Sequence, residues 1–296
     1  MFSKNHSLMQ KLFRPKECFR PKSVEEAVSF LDKYDNAKVI AGGTDLLVDK
    51  PPEVEYLVDI SCLNLRYVTI DEFLRIGALT TIRDLEISPL LKGGPYLAIS
   101  EAARSFGSLP IRNTATVGGN ICNAISSADI PPPLVALDAK VKVVGPREER
   151  ILPLGEFFVG NRQTLLRKNE LLVEVQVPQF PPNTGAAFIK FARTSIDLAL
   201  VNMAVKITLE GELMKQVRVV VGGGVGPTLI RSKKAEEILE NQKINEKILD
   251  EAAEAVSAEL RPRPTSIRGS GEYKREISKV LLRSAALQAW ERARGG

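Results

Sequence analysis

The residues best placed to do chemistry are two glycine pairs. Gly42-Gly43 leads into Thr44 and Asp45, and Gly118-Gly119 sits between Thr116 and Asn120. Without a Cβ, such turns let backbone N–H groups approach an anion, and consecutive amides form a small anion-binding nest. Two nests facing each other would grip a pyrophosphate, whereas either alone reads as a tight turn. Neither follows G-x-G-x-x-G or G-x-x-x-x-G-K-[ST], so a Rossmann site and a Walker-type loop are not supported. Gly222-Gly223-Gly224 runs into Val225-Gly226-Pro227 with no Lys-Ser or Lys-Thr, and reads as a bend between elements.

The chemistry that is missing narrows the field. There is one histidine, His6 in a charged leader, and three cysteines, Cys18, Cys62 and Cys122, each alone in its stretch. A zinc hydrolase needs converging His, Cys or carboxylate ligands, and Ser-His-Asp catalysis needs a histidine beside the nucleophile. Neither can be assembled here, nor can a CxxC pair or a four-thiolate iron–sulfur cluster. Redox chemistry would need an organic cofactor or a partner.

The elements that must position the glycine pairs can be read along the chain. Its 296 residues suit about two domains, and 44% hydrophobic with 26% charged residues suits a soluble globular protein. The net charge of +5 is small, with basic residues interleaved among acids and 6% aromatics, so nucleic-acid binding is not supported. No apolar run has the length of a signal peptide core or a membrane span, and few unpaired cysteines suit the cytoplasm. Ser23 to Glu26 reads as a capping box opening a helix with Val24, Ala27, Val28 and Leu31 on one face. Residues 38–41 and 56–60 read as strands around the first glycine pair, and 68–78 as two short strands. Thr81 to Asp84 reads as a second capping box, and 96–106 as a helix. The stretch 107–133, with Gly118-Gly119 and Pro131-Pro132-Pro133, reads as largely loop, of the kind that carries binding residues. Residues 139–144 and 171–177 alternate as strands. A Pro-rich linker at 178–185 precedes three strands and then three helices, an α+β pattern. In the last helix, Tyr273, Ile277, Val280, Leu281 and Leu287 are expected to face the core, with Trp290 anchoring its end. The leader repeats Phe13-Arg14-Pro15-Lys16 as Phe19-Arg20-Pro21-Lys22, too close for a structural repeat.

The stretches Ala41-Gly42-Gly43-Thr44-Asp45-Leu46 and Ile111-Arg112-Asn113-Thr114-Ala115-Thr116-Val117-Gly118-Gly119-Asn120-Ile121, followed by Ala128-Asp129, resemble the two FAD-binding signatures of the medium subunit of molybdenum hydroxylases. Similarity continues through Leu137-Asp138-Ala139, Asn169-Glu170-Leu171-Leu172, Phe188-Ile189-Lys190 with Arg193, Gly222 to Pro227 and Tyr273-Lys274-Arg275. The family includes carbon monoxide dehydrogenases, bacterial xanthine dehydrogenases and related aldehyde or N-heterocycle oxidoreductases.

The resemblance implies an α+β protein. Residues 1–180 would form a vanillyl-alcohol-oxidase-type (PCMH-type) FAD-binding domain of two α/β lobes, split near 60–68. Residues 185–292 would form a C-terminal domain of a three-stranded antiparallel sheet with helices. It also implies cofactor contacts. Val39, Ile40, Ala41, Gly42, Gly43, Thr44, Asp45 and Leu46 would wrap the pyrophosphate, and Ile111, Thr116, Gly118, Gly119 and Asn120 would complete the grip. Asp129 would bond a ribose hydroxyl, an acceptor-only carboxylate suiting a diol. Leu171 and Leu172 would line the adenine or flavin pocket, and Lys190 would sit by the isoalloxazine edge, where a cation stabilises reduced flavin. Cys122 would lie beside the cofactor as a small packing residue. No histidine lies near either pair, so the flavin would be non-covalent. Three scattered cysteines exclude the extra iron–sulfur loop found in one branch.

The implied reaction is shared by three kinds of chain. A large molybdopterin subunit hydroxylates substrate, a small subunit relays electrons through two [2Fe-2S] centres, and FAD here collects them for NAD or another acceptor. The assembly would be a dimer of heterotrimers. No catalytic or metal-ligating side chain is required of this subunit. Arg193, Thr194, Ser195 and Asp197 form a polar loop that reads either as a gate on the acceptor side or as a plain turn. The wording Gly119-Asn120-Ile121-Cys122-Asn123 leans towards the xanthine-dehydrogenase-like branch. Two rivals remain: a self-contained flavin oxidase, which would need its own base, and a scaffold that has lost FAD, which would have bulky residues at the glycines. Gly119→Val is expected to abolish FAD binding.

Overall fold

The computed structural model describes residues 13–263, 266 and 268–295, so His6 lies outside the described residues. The chain begins with β1 (Glu17–Phe19), α1 (Val24–Lys33), β2 (Ala37–Ile40), α2 (Leu46–Asp49) and β3 (Tyr56–Asp59). The three strands pair in parallel in the order β1-β3-β2. Ser23 caps α1 by accepting the Glu26 N–H at 3.2 Å, but the Glu26 carboxylate turns to the Lys22 N–H rather than to Ser23. The doubled leader acquires a role: Lys16 pairs with Glu55 at 2.8 Å and Arg20 with Asp59 at 2.7 Å, fastening both ends of β1 along β3.

The chain continues as β4 (Val68–Ile70), β5 (Phe73–Gly77), α3 (Ile82–Ile87), α4 (Leu97–Arg104), α5 (Leu109–Thr114), α6 (Val117–Asn123), α7 (Pro131–Ala136), β6 (Lys140–Val144), β7 (Glu149–Pro153), α8 (Leu154–Phe157), the hairpin β8 (Phe158–Gly160) and β9 (Gln163–Thr164), and β10 (Leu171–Pro178). An antiparallel sheet runs β4-β5-β10-β6-β7, with β10 buried through Val177 at its centre. The stretch 107–133 departs from expectation, since much of it is helical. Prolines occupy the first turns of α5 and α7, where a fixed φ and a missing N–H cost nothing, and Thr116 caps α6. Residues that look like loop markers are helix starters here.

Then follow β11 (Thr184–Phe191), β12 (Val201–Glu210), β13 (Leu213–Gly222), the two-residue edge strand β14 (Ile230–Arg231), α9 (Lys233–Leu239), α10 (Glu246–Glu259) and α11 (Gly271–Arg294). Antiparallel alternation splits the sheet between two cores. Ala186, Phe188, Ala204 and Val220 pack towards the five-stranded sheet and its helices, whereas Ala187, Met203, Val205 and Val219 face α10 and α11. The buried face of α11 matches the expected one only in part: Leu281 is buried and Ile277 and Trp290 pack partly against the core, but Tyr273, Val280 and Leu287 are exposed, while Leu282, Ala285, Ala286, Ala289 and Ala293 are buried. Small residues are required because the helix lies directly on the sheet; a Cβ on Gly185 would stand 2.1 Å from the Ala289 carbonyl oxygen.

Several carboxylates make this fold acid-sensitive. Burial opposes ionisation of Asp84, but Arg66 and the Thr81 backbone outweigh it and hold the carboxyl below the usual range. Arg83 and Arg112 do the same for Glu86, and Arg150 with the Arg167 backbone for Glu170. A depressed folded pKa contributes stability that is complete above the ordinary value, 3.8 for Asp and 4.5 for Glu, and is lost as pH falls through the depressed one. The urea midpoint should therefore drop as pH falls below 4.5 and then below 3.8. Arg66→Ala should shrink that drop, and an equally steep drop in the variant would refute the assignment to Asp84.

Candidate functional site

A cleft of ≈ 660 Å³ opens beside the parallel sheet, within the ordinary size range of small-molecule sites. One wall is the continuous run Val39, Ile40, Ala41, Gly42, Gly43, Thr44, Asp45 and Leu46, from β2 through the first glycine turn into α2. The opposite wall comes from Thr116, Gly118, Gly119, Asn120 and Cys122 on α6, with Leu171 and Leu172 from the start of β10. Stretches far apart in sequence thus meet across one space. Ile111, Asp129 and Lys190 lie outside its lining.

The first glycine turn has the properties of an anion site. Among the described residues, nothing accepts a hydrogen bond from the backbone N–H of Gly42, Gly43, Thr44, Asp45 or Leu46. Buried or half-buried amides are nearly always paired, so a run of free donors on residues that line a cleft calls for an acceptor. Glycine is needed at both positions. Gly43 has φ +68°, and a Cβ on Gly42 would come within 2.0 Å of the Thr114 carbonyl oxygen.

The second glycine pair is not a nest, and this corrects the expectation of two matching grips. The Val117 and Gly118 N–H groups donate to Thr80 O and Ala78 O, both at 2.9 Å. Gly119 donates to Thr116 Oγ1 at 3.1 Å and Asn120 to Thr116 O at 2.9 Å. Every amide of the motif is thus used to start α6 and bind it to the segment after β5. A Cβ on Gly118 would lie 2.8 Å from Ala78 Cβ, so this glycine permits close packing of the wall. What the second motif offers a ligand is Asn120, whose Oδ1 is a buried acceptor without a donor. Hydroxyls or N–H groups of a bound molecule would satisfy it.

Charge at the rim is nearly balanced. Arg162, at the tip of the β8–β9 hairpin with φ +60°, pairs with Asp49 at 2.5 Å and also lines the cleft. Burial pushes the Asp45 carboxyl up and the Asp49 charge adds to this, against Arg162 and Asn123. Arg167 pairs with Glu148, and Lys168 with Asp35. Nothing in the residue spacing signals Arg162, because only the hairpin brings it to the rim. The Cys122 thiol is pushed up to about 12 by burial, with Lys38 opposing, which keeps it protonated and suits packing rather than nucleophilic attachment. Among the described residues there is no cluster of three or more His, Cys, Asp or Glu that could hold a metal ion.

Asp129 and Lys190 find each other instead of the cleft. Lys190 Nζ lies 2.7 Å from Asp129 Oδ2, both side chains are almost completely buried, and Lys190 also donates to Ser105 O at 2.9 Å. Asn202 donates to Asp129 Oδ1 at 2.9 Å and to Ala128 O at 3.1 Å. Burial pushes the Asp129 carboxyl up, while Lys190 and Asn202 pull against it. Ile111 is exposed on α5. In the polar loop, Arg193 pairs with Asp197 at 3.3 Å.

With this geometry in view, residues 12–180 match the family model described as the FAD binding domain in molybdopterin dehydrogenase, and residues 186–289 the CO dehydrogenase flavoprotein C-terminal domain. The chain is 36% identical over 281 residues to the 6-hydroxypseudooxynicotine dehydrogenase complex subunit alpha of Paenarthrobacter nicotinovorans, covering 92% of this chain and 93% of that protein. It is 32% identical over 283 residues to the carbon monoxide dehydrogenase medium chain of Hydrogenophaga pseudoflava, covering 93% and 97%. The putative xanthine dehydrogenase FAD-binding subunit XdhB of Escherichia coli is also 32% identical, covering 93% and 96%. Among solved structures, a carbon monoxide dehydrogenase from Hydrogenophaga pseudoflava that lacks the Mo-pyranopterin moiety of its molybdenum cofactor superposes with a TM-score of 0.90 at 32% identity, covering 94% and 98%.

Proposed function

The chain belongs to the FAD-binding medium subunits of the molybdenum hydroxylases, and from that premise we propose that its cleft holds FAD with the diphosphate on the free amides of residues 42–46. Those unpaired donors carry the reading, because a diphosphate is the part of FAD that accepts several backbone hydrogen bonds at once. Val39, Ile40 and Ala41 would flank the diphosphate wall, Thr116, Gly118, Gly119 and Cys122 would pack on the other side, and Asn120 Oδ1 would accept from a ligand hydroxyl or N–H. Leu171 and Leu172 would cover an aromatic ring. In this reading Asp129 and Lys190 contribute to the cofactor end of the 122–129 segment through each other and Asn202.

Bound FAD supplies storage for two electrons that can be exchanged singly. The protein's part is to hold, orient and shield it, so no general base is required. Electrons would enter from the [2Fe-2S] centres of a small partner and leave to NAD or another acceptor, with a molybdopterin subunit acting on the substrate. Residues 1–180 would carry the cofactor and 185–292 would brace it, in a cytoplasmic complex built as a dimer of heterotrimers. No helix among the described residues is long and apolar enough to cross a membrane. Relatives of similar identity are named for carbon monoxide, xanthine and 6-hydroxypseudooxynicotine, so the wording around Asn120 does not single out xanthine. Substrate choice would rest with the molybdenum subunit.

Incubation of the purified full chain with FAD and removal of excess should leave bound flavin absorption that acid denaturation releases into solution. A colourless chain would refute the proposal, and turnover of a substrate by the chain alone would favour a self-contained oxidase.

A further inference from the structure

Lys274 on α11 is 3% exposed, yet no carboxylate among the described residues pairs with it. Among the described residues its Nζ donates only to carbonyl oxygens, those of Gly223 at 3.0 Å and Gly224 at 3.2 Å. Burial, with the charges of Arg268 and Arg263, disfavours its protonated form. A buried cation without a counter-ion is costly, and two carbonyl bonds restore only part of its lost hydration. A residue kept at a cost to stability invites a search for what it holds.

It holds a turn that in turn holds the cofactor wall. Gly223 and Gly224, with φ +96° and +67°, both direct their N–H groups at Ser126 O, at 3.0 and 3.2 Å. The Gly224 N–H belongs to the same peptide unit as the Gly223 carbonyl that Lys274 binds, so the ammonium polarises that unit and strengthens its bond to Ser126. The turn cannot relax easily, since a Cβ on Gly223 would lie 2.5 Å from Val201 Cα. Ser126 lies three residues beyond Asn123, where α6 ends, and Ala124 between them has φ +48° and accepts the Arg162 N–H at 2.9 Å. Cys122, Asn123 and Arg162 all line the cleft.

We propose that Lys274 is a positioning residue for the flavin: through the Gly223-Gly224 turn it fixes Ser126, and with it the C-terminal end of the α6 wall against the cofactor. The helical C-terminal region is thereby coupled to a cleft that it does not line. This rests on the FAD reading of the cleft.

Lys274→Met keeps the aliphatic stem and removes the charge and the donors. In the full chain, the variant prepared without FAD should melt no lower than wild type, because a buried charge has been removed, while its FAD dissociation constant rises roughly tenfold or more. Lys274→Arg, which keeps charge and donors, should recover part of the affinity. FAD binding by Lys274→Met within about twofold of wild type would overturn the proposal. So would a fall in melting temperature large enough to account for the weaker binding, since Lys274 would then be a plain structural tie. Wild type that takes up no FAD refutes the cleft reading itself; wild type that binds while the variant binds equally well refutes only the role of Lys274.

Discussion

Gly42→Ala should cost the chain its FAD, with affinity falling on the order of 100-fold. The added Cβ would stand 2.0 Å from the Thr114 carbonyl oxygen and 2.8 Å from its carbon. Both neighbours are backbone, anchored by the Ala115 N–H on Ile111 O at 2.7 Å and the Ile82 N–H on Ala115 O at 2.9 Å, so they cannot swing aside as a side chain would. The turn must move, and the amide row moves with it. Overpacking of this kind costs about 1–3 kcal/mol in a core, and here the displaced atoms are the proposed binding groups themselves. Gly119→Ala makes the matching control, because a Cβ there meets only Thr116 Oγ1, at 2.9 Å. It should weaken the cap of α6 and lower FAD affinity much less. Bound flavin per chain, read by absorption after desalting, orders the two variants; equal flavin content in Gly42→Ala and wild type would refute the amide site. The larger loss is thus expected at the first glycine pair, whereas the motifs alone treat the two pairs alike.

The largest effect on stability is expected at the Asp129–Lys190 pair. Lys190→Met leaves the Asp129 carboxylate almost fully buried with Asn202 as its remaining partner, and breaking such a pair costs about 3–5 kcal/mol. Removing both charges, as in Asp129→Leu with Lys190→Met, should restore much of that loss, because no stranded ion remains. Urea unfolding of the two single variants and the double variant would measure the coupling. A single-variant loss below about 1 kcal/mol would show that water reaches the pair and screens it. The pair joins Asp129, just before α7, to β11, so the same experiment gauges how firmly the C-terminal sheet is fixed to the cofactor region.

The periodic elements were legible because burial imposes a period on them. The strands at 56–59, 68–77 and 171–178 and the Thr81 capping box lie where alternation and capping residues place them. The cleft's lining on both sides, Val39 to Leu46 and Thr116, Gly118, Gly119, Asn120 and Cys122, lies in the stretches that carry the family resemblance. Their roles could not be read there, since whether an amide is free depends on what lies opposite. Gly118 and Gly119 share the look of Gly42 and Gly43, yet Ala78 and Thr116 consume their N–H groups. The helices of 107–133 were hidden because proline and glycine signal both loops and helix beginnings. The buried side of α11 was legible only in part, through Leu281, because a helix lying directly on a sheet also selects alanine, which an apolar-face count ranks low. Arg162 gave no signal, and Lys274 stood within Tyr273-Lys274-Arg275 with no role attached, as each owes its place to contacts with distant chain.

If the free amides of residues 42–46 hold the diphosphate as proposed, they would also tie the protein's survival to flavin supply. In the empty chain those donors would be met by water, whereas FAD bound as proposed would join the first glycine turn to the α6 wall through contacts the unfolded chain cannot make. A ligand that binds only the folded form adds about 2.7 kcal/mol at a free concentration 100 times its dissociation constant. Chains made faster than flavin is delivered would open more often and be degraded first, so the amount of this polypeptide should follow the amount of flavin rather than the rate of synthesis.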